Sequence, residues 1–196
     1  MAESGVEWCE LRRAMSVAGG GWQGLALGLF RRVRVELTES VEGLAEDELN
    51  WRPSSDGNST AWLVWHIARG QDRNLSEVIG KPQLWLAEGW ADRFDRPADP
   101  SDTGFGHSTE EAHAFLSPGG PLLLSYLDSV HERAENYLSS APAEDLHRIA
   151  PSPTLGTADT VEVRIQGQIA DSFAHLGQIG TLRGLMPKSH EPADSR

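Results

Sequence analysis

The chain has 196 residues, enough for one domain with tails and too few for two full domains, and its single cysteine, Cys9, excludes both an intrachain disulfide and a cysteine-based metal cluster. Its 29 Asp and Glu against 17 Lys and Arg give a formal charge of −12, which argues against nucleic-acid binding because a phosphate backbone needs a cationic face. Seven Trp within a 39% apolar composition supply a core and exclude disorder throughout.

Residues 1–21 carry no sustained periodicity, end in Gly19-Gly20-Gly21 and read as a flexible N-terminal extension; Cys9 lies within them. From Trp22 to about Leu44 the pattern is helical, with Leu25, Leu29, Val33, Leu37 and Val41 expected on one apolar face. The short apolar run Trp22 to Phe30 is followed at once by Arg31-Arg32, the wrong flank for a cleaved signal, and no segment approaches the roughly 20 apolar residues of a membrane span. A cytoplasmic protein without membrane contact is expected. Pro53 and Ser54-Ser55-Asp56-Gly57 mark a connector. Asn58 or Ser59 then caps a second helix running to Ile79, stopped by Gly80 and Pro82.

Lys81 to His107 reads as a long irregular loop carrying Trp85 and Trp90, of the kind that is usually functional. A helix start at Ser108 or Thr109, with Glu110 and Glu111 in its first turn, leads to a break at Ser117-Pro118-Gly119-Gly120-Pro121. A further helix follows from Leu122 to about Leu138, then a Pro-bearing connector from Ala141 to Asp159 with no convincing strand. The last helix is expected from about Thr160 to Leu185, and a disordered tail over 187–196. This is an all-α reading: one domain over residues 22–186, built on four main helices with a long middle loop.

In the last helix, taken at 100° per residue, Ile165, Ile169, Phe173, Leu176 and Ile179 form an apolar stripe. Beside it lies a polar stripe of Arg164, Gln168, Asp171, His175 and Gln178. Asp171 and His175, at i and i+4, stand next to each other and have the spacing to chelate one divalent ion. A third ligand must come from elsewhere. His66, at the margin of the apolar side of its helix, is the natural donor. On spacing alone the blander readings are favoured: a surface pair for Asp171 and His175, and a core histidine bonded to a carbonyl for His66.

Arg164 could bind a substrate carboxylate or be exposed or ion-paired. Gln178 could orient His175. Trp62, Trp85 and Trp90 could wall a pocket, with core packing the default. Arg69, Asp72 and Arg73 read as a solvated or ion-paired face, and His107 and His113 as helix-surface residues near the open end. His131, His147 and His190 have no supporting pattern.

Three strings carry a family resemblance: Leu49-Asn50-Trp51-Arg52-Pro53, then Asn58 through Ala68 with His66, and Asp171-Ser172-Phe173-Ala174-His175-Leu176-Gly177-Gln178-Ile179. Gly104-Phe105-Gly106-His107 adds to them. Together they resemble the DinB-like (YfiT-like) superfamily of bacterial stress-associated metalloproteins over about Trp22 to Leu185.

The resemblance implies an antiparallel four-helix bundle, commonly a homodimer, holding one divalent metal (zinc, nickel or iron) through three side chains. Carried over by position, these are His66, Asp171 and His175, with Asp171 standing where the family usually has a histidine. It also implies a small-molecule substrate and a metal-dependent S-transferase that uses a low-molecular-weight thiol of the mycothiol or bacillithiol type. The alternatives are a non-catalytic stress or interaction bundle and a metal-dependent hydrolase.

Overall fold

The computed structural model describes residues 20–117 and 119–187; the expected extension up to residue 19 and the tail from residue 188 lie outside the described residues. Helix α1 spans Trp22–Val41, α2 Glu46–Asn50, α3 Thr60–Ile79, α4 Leu84–Ala87 and α5 Trp90–Arg93. They are followed by α6 Thr109–His113, α7 Gly120–Ser140, a 3-10 turn Ala143–His147, a hairpin of β1 Ile149–Ser152 and β2 Thr157–Thr160, and α8 Val161–Leu185. The fold is mostly helical. Helix α1 packs on α7 and α8, and α3 packs on the same two helices.

Local chemistry sets the helix ends. The Ser59 hydroxyl accepts from Trp62 N at 3.2 Å to start α3, and Gly80 stops it at a left-handed φ of 72°. Ser108 and Glu111 form a reciprocal capping box on α6. The Thr160 hydroxyl accepts from Val163 N to start α8.

The buried face of α1 is Ala26, Leu27, Phe30, Val33, Leu37 and Val41, so the expected stripe is corrected at its N-terminal end, where Leu25 is 69% exposed. A ladder of four-residue steps drifts by about 40° per step around a helix, and over the length of α1 it slides off the core side. The connector also contains a strand pair that the sequence pattern did not announce. Ile149 pairs with Thr160 and Ser152 with Thr157 in an antiparallel ladder, and only Ala150 and Ser152 face inward. Four residues with a central Pro151 are too short to show alternation.

The stretch from Lys81 to His107 is less irregular than expected, because α4 and α5 fold within it. Trp85, Phe94 and Trp90 pack around Tyr126 of α7, with ring centroids 5.2–5.9 Å apart. Trp85 and Trp90 therefore belong to the core. Beneath them Arg69 and Asp72 take the ion-paired of the two expected readings, but inside the core rather than on a solvated face: both side chains are fully buried, 3.5 Å apart. The Asp72 carboxylate accepts from Leu84 N at 2.9 Å, Trp85 N at 2.8 Å, Tyr126 OH at 2.9 Å and Ser76 Oγ at 3.0 Å. Each such bond to a charged group contributes about 1.5–3 kcal/mol, the density of partners a buried carboxylate requires.

Candidate metal centre

His66 sits in the middle of α3 and Asp171 and His175 one turn apart on α8. The two helices meet along a polar seam. Asn74 Nδ2 donates to the Arg164 carbonyl at 2.8 Å, and Gln71 Nε2 to Ser172 Oγ at 3.2 Å. This register places His66 opposite the Asp171–His175 pair. Asp171 Oδ1 lies 3.3 Å from His175 Nε2, and Asp171 Oδ2 lies 4.0 Å from His66 Nε2. The three side chains offer ligand atoms that all lie within 4.8 Å of one another. Ligands around a tetrahedral ion at 2.0–2.1 Å stand about 3.3 Å apart, so small side-chain rotations would close the set.

Each imidazole is held by the nitrogen that faces away from the cluster. His66 Nδ1–H donates to the Thr103 carbonyl at 2.5 Å, which leaves Nε2 toward Asp171. His175 Nδ1–H donates to Gln178 Oε1 at 3.1 Å, the orienting contact considered for Gln178. Fixing the tautomer and the ring plane in this way is the usual outer support of a metal-bound histidine.

Trp62 is stacked on His66, with ring centroids 4.9 Å apart and planes within 8°. Its indole N–H reaches His107 Nδ1 at 3.4 Å, and His107 Nε2–H donates to Asp102 Oδ1 at 2.9 Å. Asp102 is paired in turn with Arg96 at 2.9 Å. His107 is thus a buttress of the site rather than a helix-surface residue. His113 lies at the end of α6 and is not one of the three clustered residues.

The titration behaviour follows from these contacts. Burial pushes the His66 imidazole below the ordinary range, partly offset by its bond to Thr103. The hydrogen bond to Asp171 raises His175. Burial alone would lift the Asp171 carboxyl, yet the His175 bond and the charges of His175, His66 and Arg73 together hold it below the usual value. Two imidazoles with one carboxylate are a sound donor set for a divalent ion, and the exposure of Asp171, 42% at its side chain, leaves a side open to a further ligand.

Of the alternatives for Arg164, the structure shows the ion-paired one. Its guanidinium is buried, with Nη2 2.6 Å from Glu77 Oε2 and Nε 2.6 Å from Asn74 Oδ1, and it donates as well to the carbonyls of Ala150 and Pro151. It ties the hairpin to α3 and α8. His131 lies elsewhere, 3.5 Å from Glu135.

Sequence reasoning missed two further features. Thr103 acts through its carbonyl, which carries no side-chain signal. Gly104, at φ +85°, lets the loop lie against the rings: a Cβ there would stand 2.8 Å from His66 Nδ1 and 2.9 Å from Trp62 Cζ2. The glycines flanking Phe105 were the one available sign of that approach.

The chain is 27% identical over 139 residues to YuaE of Bacillus subtilis (strain 168), an uncharacterized protein, covering 65% of this chain and 78% of that one. A crystal structure of a conserved protein from Enterococcus faecalis superposes with a TM-score of 0.75 at 27% identity, covering 85% of this chain and 98% of that one. A family model matches residues 29–179, from the first helix through His66 to the end of the Asp171–His175 segment, and by that match the chain belongs to the DinB superfamily.

Proposed function

We propose that this chain is an antiparallel four-helix bundle that binds one divalent metal through His66, Asp171 and His175 and adds a low-molecular-weight thiol to an electrophile, the thiolate sulfur bonding to the electrophilic carbon as its leaving group departs. The observation that carries the metal reading is the convergence of three donor side chains from two helices, with both imidazoles braced from behind by Thr103 and Gln178. A zinc, nickel or iron ion there would supply the Lewis acidity that keeps a small thiol as its thiolate at neutral pH. The protein's own part is to orient the two imidazoles, to offset one positive charge with Asp171 and to shield the inner side of the site with Trp62 and the 102–107 loop. No cysteine stands among the described residues, so a reacting thiol would arrive with the substrate.

Elemental mass spectrometry of the purified protein, beside a His66→Ala/His175→Ala double variant, tests the first half. About one equivalent of metal, lost in the variant, is expected; a wild type that stays empty when metal is added overturns it. For the second half, the cobalt-loaded protein is titrated with bacillithiol and mycothiol. A thiolate-to-cobalt absorption band, followed by conjugation to alkyl and aryl halides, is expected, and neither thiol giving a band refutes thiol transfer. The second reading is a non-catalytic bundle. It is favoured by the direct Asp171–His175 contact at 3.3 Å, which satisfies both groups without an ion.

A further inference from the structure

Beside the cluster runs a cleft of about 290 Å³, bordered by His66, Asp171, Arg73, Phe105, Leu155 and Val163. Its size is near the lower bound of small-ligand pockets, about 300 Å³. Two of its features stand unexplained by the fold. First, Arg73 of α3 has no hydrogen bond or ion pair among the described residues, and its Nε is buried without a partner. The contrast with its neighbours is sharp: Arg69 is tied to Asp72 and Gln83, and Arg164 to Glu77 and Asn74. Burial lowers the Arg73 pKa against the pull of Glu77 and Asp171. A buried guanidinium edge left without an acceptor is a cost the fold does not recover by itself.

Second, the rim is apolar and open. Phe105 is 79% exposed, Val163 52% and Leu155 47%, and all three border this one cleft. They come from separate segments, the 102–107 loop, the hairpin turn and the first turn of α8. Their convergence supplies a surface for an apolar body next to a planar cation. The carboxylates in the cleft are Asp159 and Asp171. With a divalent ion on Asp171 and both imidazoles neutral, that carboxylate is compensated; Arg164 is already paired with Glu77, so Arg73 is the cation of the cleft without an ion pair among the described residues, set against Asp159.

We infer that Arg73 anchors the carboxylate of an organic acid whose apolar part lies against Phe105, Leu155 and Val163, so that the substrate of this site is an amphiphilic organic anion. The inference rests on reading the cleft as the substrate site beside the metal. It assigns to Arg73 the anion-binding role for which the sequence had offered Arg164. Its two Nη nitrogens, unlike Nε, are not buried and have no partner among the described residues, and their paired N–H groups suit a carboxylate in a bidentate fork.

The test is an NMR titration that follows the arginine Nε–H signals of the full chain, zinc-loaded and zinc-free in parallel. Three probes are used: 3-phenylpropionate, its amide, and propionate. The first carries charge and apolar body, the others one each. The expected result is a saturable shift of the Arg73 Nε–H signal, with 3-phenylpropionate bound at least about tenfold more tightly than either partial probe. Arg73→Gln abolishes that preference and Arg73→Lys keeps part of it. Equal affinity for acid and amide, or a preference that survives in Arg73→Gln, overturns the assignment. Zinc uptake is read separately by elemental analysis: a chain that takes no zinc defeats the metal reading, while the zinc-free titration still decides the role of Arg73.

Discussion

Gly104→Ala tests whether the loop that covers His66 is part of the metal centre. The substitution acts in two ways that can be separated. An alanine at a left-handed φ of +85° loses about 1–2 kcal/mol of backbone energy. Its Cβ also meets His66 Nδ1 at 2.8 Å, Trp62 Cζ2 at 2.9 Å and Trp65 Cζ3 at 3.2 Å, contacts with packed rings that cannot swing away. Overpacking of that kind adds about 1–3 kcal/mol. Gly106→Ala is the control, because Gly106 has nearly the same φ, +78°, with nothing within 4 Å of its would-be Cβ. In urea denaturation of the metal-free protein, Gly106→Ala should lose about 1–2 kcal/mol and Gly104→Ala about 2–5 kcal/mol. The sharper readout is zinc affinity, measured against a chromophoric chelator. Pushing the loop off the ring breaks the Thr103 bond to His66, and loss of such an outer partner weakens metal binding about 10–100-fold. Gly106→Ala should leave the affinity unchanged. Two variants that match each other in both stability and zinc affinity would refute the reasoning.

Three further outcomes follow from the geometry. In the metal-free protein His175 is raised by its bond to Asp171. The stability it brings is therefore fully present below the ordinary imidazole pKa of about 6.5 and is lost as pH rises through the raised value. Asp171→Asn should accordingly be destabilising at about pH 5.5 and nearly neutral at about pH 8.5 by urea denaturation, and an equal loss at both would contradict the pairing. Asp72→Ala leaves the fully buried Arg69 unpaired and should cost about 3–5 kcal/mol, with Tyr126→Phe costing about 1.5–3 kcal/mol; a loss under about 1 kcal/mol for the former would show that the network carries little energy. Arg164→Met should destabilise strongly by leaving Glu77 unpaired, yet leave zinc affinity as it was, and a matching loss of zinc affinity would return Arg164 to the site.

The long helices were readable because their ends carry capping chemistry: Ser59 and Gly80 bound α3 within a residue of the expected limits, and Thr160 starts α8. Asp171 and His175 were readable as a pair because i and i+4 on a helix is a fixed distance. Their meeting with His66 was proposed from its place at the edge of an apolar stripe, and needed the α3–α8 register to become geometry. What stayed hidden was of two kinds. A carbonyl ligand such as Thr103 has no residue-type signature at all. Charged residues at helical spacing, such as Arg69 and Asp72, look like a solvated face unless something folds over them, and α4 and α5 do so at four residues each, too short to show a period. Arg164 takes the ion-paired alternative among its expected readings, while nothing in the sequence set Arg73 apart from its charged neighbours.

These buried charges connect directly to the candidate site. Asp72 accepts the first free amides of α4, and Arg69 donates to the carbonyls of Asp99, Pro100 and Asp102. The segment between them is thereby fastened at both ends to α3, the helix that carries His66. Thr103 follows Asp102 immediately, so the carbonyl that orients His66 is fixed by the Arg69 anchor one residue away. Asp102 also receives Arg96 and His107, and His107 accepts the indole N–H of the Trp62 stacked on His66. One helix thus supplies a candidate ligand and, one to two turns further on, the ion pair that holds the loop behind that ligand. A loop of more than twenty residues would ordinarily be too mobile to aim a histidine. Here a fully buried Arg–Asp pair ties the segment to α3 and fixes the carbonyl behind His66.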